Sequence, residues 1–131
     1  AIGRSALNVL NAAGQGYNVA VGYNAGAAVT TGVNNTLIGA TAGDALTDAD
    51  ANVAIGQAAL STDTLGSQSV AIGASALESQ NFTTATNSLN TAVGTAAGAS
   101  VTTGIENTFI GSLAGDERFV YSKLYYSYRC F

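Results

Sequence analysis

The sequence predicts an all-β protein, a β-solenoid or β-roll of about seven rungs with a 17-residue repeat. Three observations predict it: a five-residue phrase that returns along the chain, the alternation of apolar residues inside it, and the glycine that closes it. The phrase, Asn-(Thr/Val)-x-(Ile/Val)-Gly, stands at 18–22, 35–39, 52–56, 90–94 and 107–111, and at 69–73 with Ser in first place. Ala1-Ile2-Gly3 is the end of a seventh copy. The closing glycines, Gly3, Gly22, Gly39, Gly56, Gly73, Gly94 and Gly111, are 19, 17, 17, 17, 21 and 17 residues apart. Three residues after each comes an alanine: Ala6, Ala25, Ala42, Ala59, Ala76, Ala97 and Ala114. Self-similarity at such a period is the signature of stacked supersecondary units.

Each element follows in order. Apolar residues at every second position describe a strand, and no helical stripe of i, i+3, i+4, i+7 spacing competes with it. Val19 and Val21, Val53 and Ile55, Val70 and Ile72 fall on one side; Ala20, Ala54 and Ala71 fall on the other. β-branched residues suit a buried pleated surface. The expected core ladder is therefore Ile2, Val21, Ile38, Ile55, Ile72, Val93 and Ile110. The seven glycines are expected as structural corners, where the chain needs positive φ or close backbone approach. Asn18, Asn35, Asn52, Asn90 and Asn107 are expected to form a ladder at the first corner, each amide bonding its neighbours and the turn backbone. A second, weaker strand is expected in each unit, as at Ala28–Thr31 and Ser100–Thr103, ending near Gly32 or Gly104. Seven rungs at about 4.8 Å would make a rod on the order of 30 Å long.

The other side of the main strand is small: Ala1, Ala20, Ala54, Ala71 and Ala92, interrupted by Leu37 and Phe109. It reads either as a bland exposed face or as a seam where copies pack closely. One basic and seven acidic residues in 1–116 leave little charge to solvate several faces, which favours the seam and self-association.

At this point the residues resemble a known class. Asn90-Thr91-Ala92-Val93-Gly94-Thr95-Ala96-Ala97-Gly98, followed by Thr102-Thr103-Gly104 and Asn107, is similar to the repeats of bacteriophage tail-fibre proteins and of trimeric autotransporter adhesin heads. The stretch from Asn18 to Asn35 is another instance, and the likeness covers about residues 1–116. It implies a β-roll of three chains about one axis, and a part in reaching or gripping a cell surface. Adhesin-head units are usually a few residues shorter than 17, which implies a longer outer loop here.

Composition removes other classes. The 131 residues include 25 Ala and 16 Gly, only 9% charged residues, and no His, Pro, Met or Trp. A chain without Met reads as processed or truncated. Without His the usual general base and neutral metal ligand are missing. A lone Cys130 allows neither an internal disulfide nor a Cys-rich zinc site. A net charge of −4 argues against nucleic acid, and no apolar run is long enough to span a membrane. The acidic group Asp44, Asp48 and Asp50, with Asp63 in the next unit, lacks calcium-loop spacing and reads as a solvated loop. No cofactor and no metal is expected, and acidic residues scattered over different rungs do not make a glycosidase pair. Thr30-Thr31 and Thr102-Thr103 raise ice binding, but the units between them break the Thr array. Asn34-Asn35-Thr36 and Asn81-Phe82-Thr83 match the glycan-acceptor triplet, a pattern common by chance.

Two segments depart from the repeat. The unit from Ser69 carries four extra residues within Glu78–Leu89. Solenoid insertions fall in loops, often on a binding face, so Asn81, Phe82 and Thr83 are candidate receptor contacts. The alternative is a surface bulge whose Phe folds back onto the roll. Residues 117–131 abandon the repeat altogether: four of six Tyr, three of four basic residues and Cys130 lie there. They divide the chain into a repeat domain, 1–116, and a C-terminal cap or docking segment, with Tyr121, Tyr125, Tyr126 and Tyr128 as candidate docking residues.

The expectation is a non-enzymatic structural or adhesive fibre segment, extracellular, on a cell surface or a virion. Its partners would be itself, as a homotrimer, and a cell-surface glycan or protein receptor. The alternative is a filament subunit that polymerises end to end.

Overall fold

A computed structural model describes residues 1–11 and 16–116. The 117–131 segment, with Tyr121, Tyr125, Tyr126, Tyr128 and Cys130, lies outside the described residues. Six strands form one parallel sheet: β1 (Val19–Val21), β2 (Thr36–Ile38), β3 (Val53–Ile55), β5 (Val70–Ile72), β7 (Thr91–Val93) and β8 (Thr108–Ile110), in that spatial order. Two shorter strands, β4 (Gly66–Ser67) and β6 (Thr86–Asn87), pair beside it. Among the described residues there is no helix. The chain returns to the sheet once per repeat and makes about five turns from β1 to β8. Ile2 adds an isolated bridge to Val21, so the seventh copy of the phrase forms a bridge and not a strand. The register joins equivalent residues throughout, as in Val21 to Ile38, Ile38 to Ile55 and Ile55 to Ile72.

Every turn bends at the same places. The seven closing glycines have φ between 119° and 135°. A Cβ on Gly39 would lie 2.4 Å from the carbonyl oxygen of Gly56, so both conformation and close approach demand glycine. Among the described residues, all sixteen non-glycine residues with positive φ fall at three further positions. These are the second residue after the glycine (Ser5 to Leu113), the fourth (Leu7, Leu60, Leu77), and the one before the Asn position (Tyr17 to Glu106). Left-handed backbone costs an L-residue roughly 1–2 kcal/mol. Here hydrogen bonds to the adjacent turn hold it: Asn24 N donates to Arg4 O at 3.0 Å, Leu60 N to Ala76 O at 2.9 Å, and Asn34 N to Gly16 O at 2.8 Å.

The core runs opposite to the expected ladder. Ile2, Val21, Ile38, Ile55, Ile72, Val93 and Ile110 do stack in register, but on the outside: Ile2 is 71% exposed, Ile110 60%, and Ile38 and Ile72 36%. The interior takes the central strand residues Ala20, Leu37, Ala54, Ala71 and Ala92, with Ala25, Ala42, Ala59, Ala76 and Ala97, and then Val29, Leu46, Leu60 and Leu77. The alanine column is thus the core of one chain and not a seam between copies. The Asn position sets this phase. Its amide must point inward to reach the next turn, and period two then sends the following residue out and the one after it in. A coil this narrow has room at its centre for Ala, and for a larger residue only where others shrink. The expected second strand at Ala28–Thr31 and Ser100–Thr103 is absent. The Thr30 and Thr47 backbones nevertheless bond across turns, Thr30 N to Thr47 O and Thr47 N to Thr64 O, both at 3.0 Å.

Candidate functional site

The outward side of the six-stranded sheet is a continuous surface that crosses all six strands. Two columns of side chains stand on it. One is the Ile/Val series from Ile2 to Ile110; the other is Val19, Thr36, Val53, Val70, Thr91 and Thr108. Neither contains a charged residue. At the N-terminal end Tyr17 and Tyr23 are also exposed, and the Arg4 guanidinium lies 5.9 Å from the Tyr23 ring centroid. Six parallel strands about 4.8 Å apart make this face about 24 Å long. β-branched side chains in ranks, with their backbone already paired, form an uncharged surface of Ile, Val and Thr.

Behind that face runs the asparagine ladder. Asn35, Asn52 and Asn90 are fully buried. Asn18 Oδ1 accepts from the backbone N of Asn35 (2.8 Å), Asn35 Oδ1 from Asn52 N (2.9 Å), and Asn52 Oδ1 from Ser69 N (2.9 Å). Each Nδ2 donates to the carbonyl of a turn fourteen residues on: Asn18 to Gly32, Asn35 to Ala49, Asn52 to Gly66 and Asn90 to Gly104. Asn107 closes the series, its N bonding Asn90 Oδ1 at 2.9 Å. Buried amides are satisfied here on both ends, which fixes register as well as stability.

At Ser69 the ladder lacks its amide, and a buried polar node takes its place. Asp63, Gln80, Ser69 and Ser88 are all fully buried. Gln80 Nε2 donates to Asp63 Oδ2 at 2.6 Å and to Ser69 Oγ at 3.0 Å, while Gln80 Oε1 accepts from Asn90 Nδ2 at 2.8 Å. Asp63 Oδ1 accepts from Gly66 N (3.1 Å) and Phe82 N (2.9 Å). The node anchors the four-residue insertion from beneath. Of the two arrangements open to Phe82, an exposed receptor contact and a ring folded back onto the roll, the structure shows the second: it is buried at 7% exposure, because Asp63 draws its backbone inward and its ring packs over Gly66. Asn81 is half-buried and accepts from Thr64 Oγ1 at 3.2 Å. Of the three, Thr83 alone is exposed, beside Thr84, Ala85 and Asn87. The sequence did carry a signal for the node: Asp63 and Gln80 sit seven residues after their glycines, where Val29, Leu46 and Val101 are apolar.

The acidic residues are knitted into the turns. Asp48 accepts from Thr31 Oγ1, and Asp50 Oδ1 from Val33 N at 2.8 Å. Asp63, read as part of a solvated loop, is interior. Asp44 is half-buried with its Oδ1 unbonded. Burial raises its carboxyl above the ordinary 3.8, against a backbone hydrogen bond that lowers it. Among the described residues no three His, Cys, Asp or Glu are grouped to hold a metal ion, and no helix could cross a membrane. No protein-family model, curated protein or solved structure matches the chain.

Proposed function

We propose that this chain is a non-enzymatic structural segment of an extracellular fibre, a stiff shaft of a phage tail fibre or bacterial surface adhesin, assembled laterally as a homotrimer. The uncharged outward sheet face carries the reading. A coil whose own core is mostly alanine leaves its Ile and Val columns to water, and a second copy is the partner that offers the same ranks at the same spacing. The likeness of the repeat phrase to tail-fibre and adhesin-head repeats supports the fibre class. Stiffness follows from backbone ladders that run without interruption from β1 to β8.

No catalytic role is assigned. Asp48, Asp50 and Asp63 already serve as hydrogen-bond acceptors within the coil. A receptor contact, where one is made, belongs to the exposed part of the insertion around Thr83. End-to-end growth is the second reading: equivalent residues pair at every step up to β8, the last strand of the described sheet. Sedimentation equilibrium across a hundredfold concentration range separates the two. A discrete trimer mass supports the shaft, mass that climbs with concentration supports the filament, and a monomer throughout refutes both.

A further inference from the structure

Counting units by their closing glycines, Gly3 first and Gly111 seventh, the units are not equivalent. Residues 18–44 match residues 90–116 at 18 of 27 positions, an offset of 72, whereas the adjacent units 18–34 and 35–51 agree at 6 of 17. Ala1–Leu7 and Ala71–Leu77 agree at 6 of 7. The long steps obey the same order. The units with 19 and 21 residues are the first and the fifth.

The core gives this order a physical content. Four residues after the glycine the series reads Leu7, Gly26, Gly43, Leu60, Leu77, Gly98, Gly115. The central strand residue is large only in the third and seventh units, at Leu37 and Phe109. A Cβ on Gly26 would lie 2.6 Å from Leu37 Cδ1, and one on Gly43 would lie 2.8 Å from Leu37 Cδ2. A Cβ on Gly98 would lie 2.8 Å from the Phe109 ring, and one on Gly115 would overlap that ring. One wedge therefore fills the space of two missing leucines, one in its own turn and one in the turn before. A unit of this kind fits only above a turn that carries glycine.

We infer that the construction unit of this rod is a module of four turns, about 72 residues, locked internally by its wedge, and that the rod extends by whole modules. Each module then carries one widened unit, so that structures like the Thr83–Asn87 bulge recur about every four strand spacings, on the order of 19 Å. The biological meaning rests on the shaft reading; the test concerns folding alone, so a monomeric mass in solution would leave its outcome standing.

The test inserts a tandem copy of residues 18–89 after residue 89 of the full chain. It is compared with a tandem copy of residues 35–51 inserted after residue 51. The module copy recreates native neighbours at both junctions. It is expected to melt in one transition at or above the parent's Tm, with unchanged β signal per residue. The single-unit copy places two Leu37 wedges in the one space at Gly43 and is expected to melt lower. Leu37→Ala in the inserted single unit should restore much of the loss. Failure of the module copy to fold, equal stability of the two insertions, or no rescue by Leu37→Ala would each overturn the module.

Discussion

The wedge at Leu37 lends itself to a double-mutant cycle with Gly43. Leu37 is fully buried, and its two methyls lie 2.6 and 2.8 Å from where the Cβ atoms of Gly26 and Gly43 would be. Leu37→Ala thus opens two voids that neither glycine can fill, and the loss should fall in the upper part of the usual range, about 3–5 kcal/mol. Gly43→Leu alone forces its Cβ to 2.8 Å from both Leu37 Cδ2 and Leu46 Cδ1, an overpacking worth about 1–3 kcal/mol. The backbone itself accepts leucine there. Gly43 has φ 55°, and Leu60 and Leu77 hold the equivalent position at 54° and 50°. With both changes the new leucine occupies the emptied space, as Leu60 does beside Ala54, and only the flexible end of Leu46 must shift. Urea unfolding followed by circular dichroism should give a favourable coupling of at least about 1–2 kcal/mol. Additive losses, or a double mutant worse than the sum, would refute the wedge.

Other perturbations follow from the same geometry. Gly56→Ala should abolish the fold, because its Cβ would fall 2.5 Å from the Gly73 backbone, while Gly111→Ala, whose Cβ would meet no described atom within 4 Å, should cost only the strain of its positive φ, about 1–3 kcal/mol; thermal melts of the pair decide. Asn52→Ala removes the acceptor of Ser69 N and the donor to Gly66 O, and should cost about 2–4 kcal/mol in urea unfolding. Asp44 favours its protonated form in the fold, so its contribution to stability is greatest below pH 3.8 and is lost as pH rises through that value toward the raised one. Asp44→Asn should therefore gain on the parent as pH rises above 3.8, read from urea midpoints on either side of that value. Ser100 Oγ bonds the equivalent Asp116 at 2.9 Å, and Ala28 stands where Ser100 does, so Ala28→Ser should supply Asp44 with a partner and stabilise by about 0.5–1.5 kcal/mol at pH 7. An unchanged midpoint for Ala28→Ser would contradict that pairing.

The period, the glycine corners and the asparagine positions were all legible as spacing, because each is a demand repeated at one place in every turn. Which face of the strand turns inward was not. Alternation at Val53-Ala54-Ile55 separates two faces without ranking them, and β-branched preference points to the Ile side. The ranking was available in Asn52, which shares parity with Ala54 and must face in to bond its neighbours. The Leu/Gly exchange at 26, 37 and 43 was also present, but it emerges only when two columns are compared. The folded-back Phe82 was one of the two arrangements the sequence offered, but no local pattern carries what decides it, a carboxylate nineteen residues earlier that captures its backbone. The left-handed residues were hidden for a different reason. Ser5, Ala58 and Leu60 are not turn formers by type, and the stack imposes their φ.

The sharpest measurement places a lysine on each side of one strand. Ala54→Lys buries a charge in a space sized for a methyl group, and Ile55→Lys adds one to the outer face. Circular dichroism and sedimentation of the two variants should give an unfolded Ala54→Lys chain and an Ile55→Lys chain with native β signal and monomeric mass. A folded Ala54→Lys beside an unfolded Ile55→Lys would mean that the isoleucines line the interior after all.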